Sequence, residues 1–161
     1  MEEAISVYIF VLNLKPEIVV ETGVSDGISS LFILSALKEN KKGNLNSIDL
    51  PEVGVPRLYG KWPGWIVEES LRLMWTLIYG KTEVKLLTLL ENLKQVDIFL
   101  HDSEHSYANM KFEFSSVLNY MKEGSLLLAD DATSNSAFQE LFSFPCDDKR
   151  KGCLLTSKDS D

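Results

Sequence analysis

Acidic side chains recur at one kind of place in this sequence, directly after short apolar runs. Glu21 ends the run IVVE, Asp49 lies near the end of NSIDL, His101 and Asp102 follow VDIFL, and Asp130 and Asp131 follow SLLLA. Carboxylates gathered on one rim raise one another's pKa, and a cation, a diol or an amine relieves that repulsion. Between the first two acids lies a glycine loop with the pattern E-x-G-x-x-x-G, formed by Glu21, Gly23 and Gly27. Gly23 permits a tight turn, and Gly27 permits close approach of the backbone at the next helix's N-terminus, a position that suits an anion. Ser25 stands where a G-x-G-x-x-G loop has its middle glycine. Asp49 follows at roughly the ~20-residue spacing of an acid that holds ribose hydroxyls. His101 and His105 are the only histidines, and both fall in the rim segment. An imidazole there can deprotonate a hydroxyl, a role that suits His105 as well as a structural one does; His101, at the end of a buried strand, reads first as structural.

These residues need a scaffold that brings strand ends together. Short β-rich runs alternate with longer helical ones: strands are predicted at Ile18 to Glu21, Asn46 to Leu50, Trp75 to Tyr79, Val96 to Leu100, Ser125 to Ala129 and Gly152 to Ser157. Helices are predicted over Ala4 to Leu14, Ile28 to Glu39, Thr82 to Leu93 with Thr82 as cap, and Ser106 to Lys122 with Gly124 as its stop. Val67, Leu71 and Met74 recur at helical spacing, and Ser136 with Gln139 suggests a capping box for a short helix through Phe142. The result is an α/β doubly wound, mostly parallel sheet, in which ligands bind beyond the carboxyl ends of the strands where strand order reverses. Pro51 to Gly64 is rich in proline and glycine and reads as an irregular loop, with Trp62 and Trp65 able to wall a pocket or pack on the sheet edge.

A length of 161 residues suits a single domain over 1–161, and 45% hydrophobic residues provide a core. The net charge of -8 disfavours nucleic acid and leaves small molecules or another protein as partners. No apolar run reaches the ~20 residues of a membrane span, so no membrane is expected. The apolar segment Ala4 to Leu14 follows Glu2 and Glu3 and makes a poor signal peptide. Cys146 and Cys153 fit a reducing cytoplasm better than a disulfide.

The segments VVETGVSDG (19–27), SIDLP (47–51), VDIFLHDSEHSY (96–107) and LLADD (127–131) resemble class I S-adenosylmethionine-dependent methyltransferases, particularly the small-molecule group with an acidic motif after the fourth strand. The resemblance spans Pro16 to about Phe142 and implies a Rossmann-like fold. It also implies that Gly23, Ser25 and Gly27 line the methionine part of the cofactor, with Glu21 near its amino group, and that Asp49 holds the ribose hydroxyls. Gly80-Lys81-Thr82 stands where the family has a glycine and an acid that contacts adenine; Lys81 departs from that pattern and leaves a backbone contact at Thr82. Asp102, Asp130 and Asp131 are similar in placement to the metal ligands of cation-dependent O-methyltransferases, implying Mg2+ or Ca2+ bound to substrate oxygens, with Asp102 and His105 in the catalytic group and Asp102 also at the cofactor.

The expectation is therefore a methyltransferase that uses S-adenosylmethionine and acts on a small molecule, at a hydroxyl oxygen. The C-terminal end of the sheet is expected to be shortened, and with no separate cap domain either the Pro51-to-Gly64 loop or a second subunit is expected to close the site, the second making a homo-oligomer. Two other readings compete. One is a protein of the same fold that binds the cofactor without methyl transfer, suggested by Lys81 and the short C-terminal end. The other is an NAD-binding oxidoreductase domain, which Ser25 and the lack of a substrate domain disfavour.

Overall fold

The computed structural model describes residues 2–50, 60–141 and 153–156. After helix α1 (Glu2–Leu14) the chain alternates strand and helix: β1 (Ile18–Thr22), α2 (Ile28–Asn40), β2 (Asn44–Asp49), a 3-10 helix (Glu69–Met74), β3 (Trp75–Tyr79), α3 (Thr82–Leu93), β4 (Val96–His101), α4 (Tyr107–Leu118), β5 (Met121–Ala129), α5 (Ala137–Glu140) and β6 (Cys153–Thr156). The strands form one sheet in the order β3-β2-β1-β4-β5-β6, and every pair is parallel. The chain winds outward from β1 to one edge, then returns to β4 and winds to the other. The order therefore reverses between β1 and β4, the position where such sheets open a crevice.

The period-two alternation of the strands divides the core between the two faces. Val19, Ile98, Leu126 and Leu128 point to the face covered by α1, α2 and the 3-10 helix, where they meet Val11 and Ile33. Val20, Phe99 and Leu127 point to the face of α3, α4 and α5, against Leu86, Phe114 and Phe138. Each such side chain contributes about 1.5–3 kcal/mol on full burial, so both faces of the sheet are anchored. Asp97 sets the register of the central pair: its Oδ2 accepts the amide protons of Glu17 (2.8 Å) and Ile18 (3.0 Å).

Several boundaries differ from those expected. Helix α4 ends at Leu118, not Lys122, because the Tyr120 carbonyl accepts the Val96 amide (2.9 Å) and draws Met121 into β5. Gly124, at φ +85°, lies inside β5 at a break in its register with β4, where the Ser125 hydroxyl bridges the Val96 carbonyl and the Lys122 amide. Of the three residues at helical spacing, Leu71 and Met74 lie in a 3-10 helix and Val67 precedes it. Thr82 does not cap α3; Lys81 occupies that position, and the Thr82 hydroxyl donates to Asn109 Oδ1 (3.0 Å). The Ser136–Gln139 box does not form: Asn135 Oδ1 takes the Ala137 amide, and Ser136 bonds Glu140. Phe142, Cys146 and most of the Pro51-to-Gly64 loop lie outside the described residues. No helix among the described residues is long and apolar enough to cross a membrane.

Candidate active site

Beyond β1 the chain must turn sharply into α2, and Gly23 (φ +84°) begins that turn. A Cβ at Gly23 would lie 1.8 Å from the Asp102 carbonyl oxygen, so the glycine is required by the loop after β4 as much as by its own conformation. Ser25 adopts the left-handed region at φ +49°. Asp49, at the end of β2, holds this strained turn from the side: its Oδ2 accepts the Val24 and Ser25 amides, both at 2.8 Å. The amides of a tight turn would otherwise lack partners, and a carboxylate supplies charge-assisted bonds to both.

Glu21 and Gly27 lie behind this surface. Glu21 is fully buried, and its carboxylate accepts hydroxyl protons from Ser29 (2.6 Å), Ser30 (2.6 Å) and Ser47 (2.7 Å). Burial pushes its pKa up, the three hydroxyls pull against that, and the Asp49 charge adds to the rise. Gly27 (φ +98°) receives the backbone of Gly64: a Cβ at Gly27 would lie 2.7 Å from Gly64 Cα. The close approach at this helix N-terminus is thus made by the chain itself.

Gly23, Ser25, Asp49, Lys81, Thr82 and Asp102 line a single open cavity of about 570 Å³ at the carboxyl ends of β1, β2, β3 and β4. Five residues expected at a cofactor therefore converge on one space. Neither Trp62 nor Trp65 is among its described lining residues. Trp62 leans on Tyr79, and the Trp65 indole donates to Asp26 (2.9 Å).

The rim after β4 and β5 carries the ionisable groups. Asp102, His105 and Asp130 each offer a ligand atom, and these atoms lie within 4.8 Å of one another. Asp131, expected in that set, is not in this group; its Oδ2 lies 3.8 Å from His105 Nε2, and its backbone takes φ +46°. Desolvation, first, and then the Asp130 and Glu21 carboxylates push Asp102 up to about 8. Asp102 is exposed along the cavity, so solvent tempers the desolvation and leaves the neighbouring acids as the persistent cause. His101, by contrast, is fully buried, as a structural role requires, with Nδ1 2.7 Å from Glu113 Oε2.

Glu113 and Asn109, which hydrogen-bond the rim segment at Ser103 and Glu104, were not singled out from the sequence. Both are buried on α4. Their signal is two polar residues four apart, flanking Met110 and Phe114 on an otherwise apolar stripe. Burial opposes ionisation of Glu113, but His101 and the Thr22 and Ser103 hydroxyls outweigh it and hold its pKa below the ordinary range.

A parallel sheet reversing at β1/β4, with a glycine turn and an acid after β2, is the arrangement of doubly wound folds that bind nucleoside cofactors, the class I S-adenosylmethionine-dependent methyltransferases among them. The family model described as "Methyltransferase domain" matches residues 20–132, most of the chain and all of this site, and the protein belongs to that family. No curated protein matches the sequence. Among solved structures the chain is similar to an O-methyltransferase from Bacillus cereus in complex with SAH (S-adenosylhomocysteine), at 17% identity and a TM-score of 0.66, covering 90% of this chain and 70% of that one. It is similar to the O-methyltransferase TomG from Streptomyces achromogenes, in complex with SAM and involved in tomaymycin synthesis, at 15% identity and a TM-score of 0.65 over 89% and 66%. The calicheamicin methyltransferase CalS11 gives 18% identity and 0.62 over 85% and 65%. The chain thus spans about two thirds of the length of these proteins.

Proposed function

We propose that this protein transfers a methyl group from S-adenosylmethionine to a hydroxyl oxygen of a small molecule. The convergence of Gly23, Ser25, Asp49, Thr82 and Asp102 on one cavity, within the stretch that matches the family, carries the reading. The cofactor, when bound, supplies an electrophilic methyl on a sulfonium. Gly23 and Ser25 offer a side-chain-poor surface for its amino-acid part, and Asp49 accepts from the ribose hydroxyls. Thr82 begins α3 at the far end of the cavity, where an adenine ring reaches its backbone; Lys81 and Glu83 flank it. Glu21, buried under three serines, supports the turn and makes no direct contact with the ligand.

His105, partly exposed beside Asp131 and Asp130, takes the proton from the acceptor hydroxyl. Fixing that oxygen in line with the methyl is the main task left to the chain. The acidic rim also fits a divalent cation: two carboxylates and an imidazole stand close enough to share one ion, and a cation relieves the repulsion that raises Asp102. Asp102, His105 and Asp130 would hold it, and in that case the cation, by lowering the pKa of a bound hydroxyl, would take over the activation from His105, which would serve as a ligand. With an imidazole in the set, Mn2+ fits as well as Mg2+. The test is calorimetry with S-adenosylmethionine and S-adenosylhomocysteine, with and without Mg2+, followed by methyl transfer to a panel of phenols, catechols and sugar hydroxyls. Binding of neither adenosyl ligand would overturn the reading.

A further inference from the structure

The Glu113 carboxylate is buried at the centre of a network that ends on the loop after β4. Its Oε2 lies 2.6 Å from the Thr22 hydroxyl of β1 and 2.7 Å from His101 Nδ1 of β4. Its Oε1 accepts the Ser103 hydroxyl at 2.8 Å and the Asn109 amide at 3.0 Å. Asn109 in turn donates to Ser103 Oγ (3.0 Å) and to the Glu104 carbonyl (2.9 Å), and accepts from Thr82 at the start of α3. One anion thus ties together the two strands that flank the crevice and the segment that carries Asp102 and His105. An ionised carboxylate only accepts, so His101 Nδ1 must donate, and His101 Nε2 is left facing away from Glu113. That nitrogen is buried with no hydrogen-bond partner among the described residues, as is His105 Nδ1, and the two imidazole rings meet edge to face with centroids 5.3 Å apart.

We propose that Glu113 is a positioning residue for the methyl-transfer reading given above: it fixes the proton of His101 on Nδ1 and holds the segment 102–106 so that Asp102 faces the cavity and His105 stays beside Asp102 and Asp130. A glutamine amide in its place cannot keep all four partners with their present protons. With the amide oxygen at the His101 side, the amide nitrogen faces the Asn109 donor and the loop loses that tie; turned over, the oxygen keeps Ser103 and Asn109, but the nitrogen faces His101 Nδ1 and drives the proton to Nε2.

The test is E113Q in the full chain, read three ways. With only two histidines in the protein, 15N-labelled imidazoles give two ring systems, told apart with H105Q. The wild type is expected to show His101 Nδ1 protonated. E113Q is expected to move that proton or to shift and broaden the His105 ring signals. Its kcat is expected to fall about 10–100-fold, the range for a displaced orienting partner, with the Kd for S-adenosylhomocysteine essentially unchanged. An unprotonated Nδ1 in the wild type would overturn the proposal, and so would an E113Q protein with wild-type kcat. A loss of S-adenosylhomocysteine affinity as large as the loss in kcat would reduce Glu113 to general support of the fold. If E113Q does not fold, the wild-type tautomer still decides, and S103A, which removes one tie, takes over the kinetic comparison. Should the wild type bind neither adenosyl ligand, the methyl-transfer reading fails, while the imidazole spectra still test Glu113.

Discussion

Replacing Asp49 separates two tasks that one side chain performs. Its Oδ2 holds the Val24 and Ser25 amides at 2.8 Å each, and the residue is 6% exposed. Charge-assisted bonds of this kind contribute about 1.5–3 kcal/mol each. In D49A both amides lose their acceptor, and water entering from the open cavity recovers part of that, leaving a cost of about 2–4 kcal/mol. For a chain of this size about 1 kcal/mol lowers Tm by about 3 °C, so D49A should melt about 6–12 °C below the wild type. D49N keeps a carbonyl oxygen for the two amides and should lose only about 1 kcal/mol. Its amide nitrogen, however, takes the place of the second carboxylate oxygen and donates where the ribose needs an acceptor. The affinity of D49N for S-adenosylhomocysteine should fall by about 1–3 kcal/mol, or about 5–150-fold in Kd. Thermal unfolding and calorimetry on the three proteins give both quantities. A D49A protein as stable as the wild type would refute the anchoring of the turn, and a D49N protein with wild-type affinity would remove Asp49 from the ribose.

Gly23→Ala forces a methyl to within 1.8 Å of the Asp102 carbonyl at a positive φ and should destabilise by about 3 kcal/mol or more, visible in urea unfolding, with loss of cofactor binding. Folding raises Asp102 from near 4 toward about 8, so above its unfolded value the folded state holds the extra proton and stability falls as pH rises. Tm measured at about pH 5 and about pH 8 should show that fall in the wild type and a smaller one in D102N; equal slopes would show that Asp102 is not raised. If the rim holds a divalent cation, chelation should abolish methyl transfer and added Mg2+ should restore it in the wild type but not in D130N. Activity indifferent to both chelation and substitution would remove the metal.

The sheet was legible because its interior strands are buried on both faces: runs such as VDIFL and SLLLA have few readings other than interior parallel strands, and glycines or acids punctuate them. The same logic placed Asp49, Asp102 and Asp130 at strand ends, since the residue after a buried run must emerge at the rim. What escaped was whatever depends on contacts distant in sequence. Nothing local distinguishes Glu21 facing a ligand from Glu21 buried under Ser29, Ser30 and Ser47; Ser47 belongs to another strand. The end of α4 was misplaced because Tyr120 is captured by the Val96 amide, a partner on β4. Asn109 and Glu113 were hidden inside an apolar stripe whose period dominated the reading.

The meeting of Gly27 and Gly64 makes the turn after β1 something other than a self-contained module. The Gly64 amide donates to the Ser25 carbonyl at 2.9 Å, and the Trp65 indole reaches Asp26, so chain laid down after β2 finishes a turn begun after β1. A strand–turn–helix unit spanning 18–40, grafted into another sheet, would carry the glycines but leave that carbonyl open and the turn unroofed. The Gly64 amide is correspondingly a reporter at a distance: its hydrogen-exchange protection tracks the integrity of the β1 turn, about forty residues upstream.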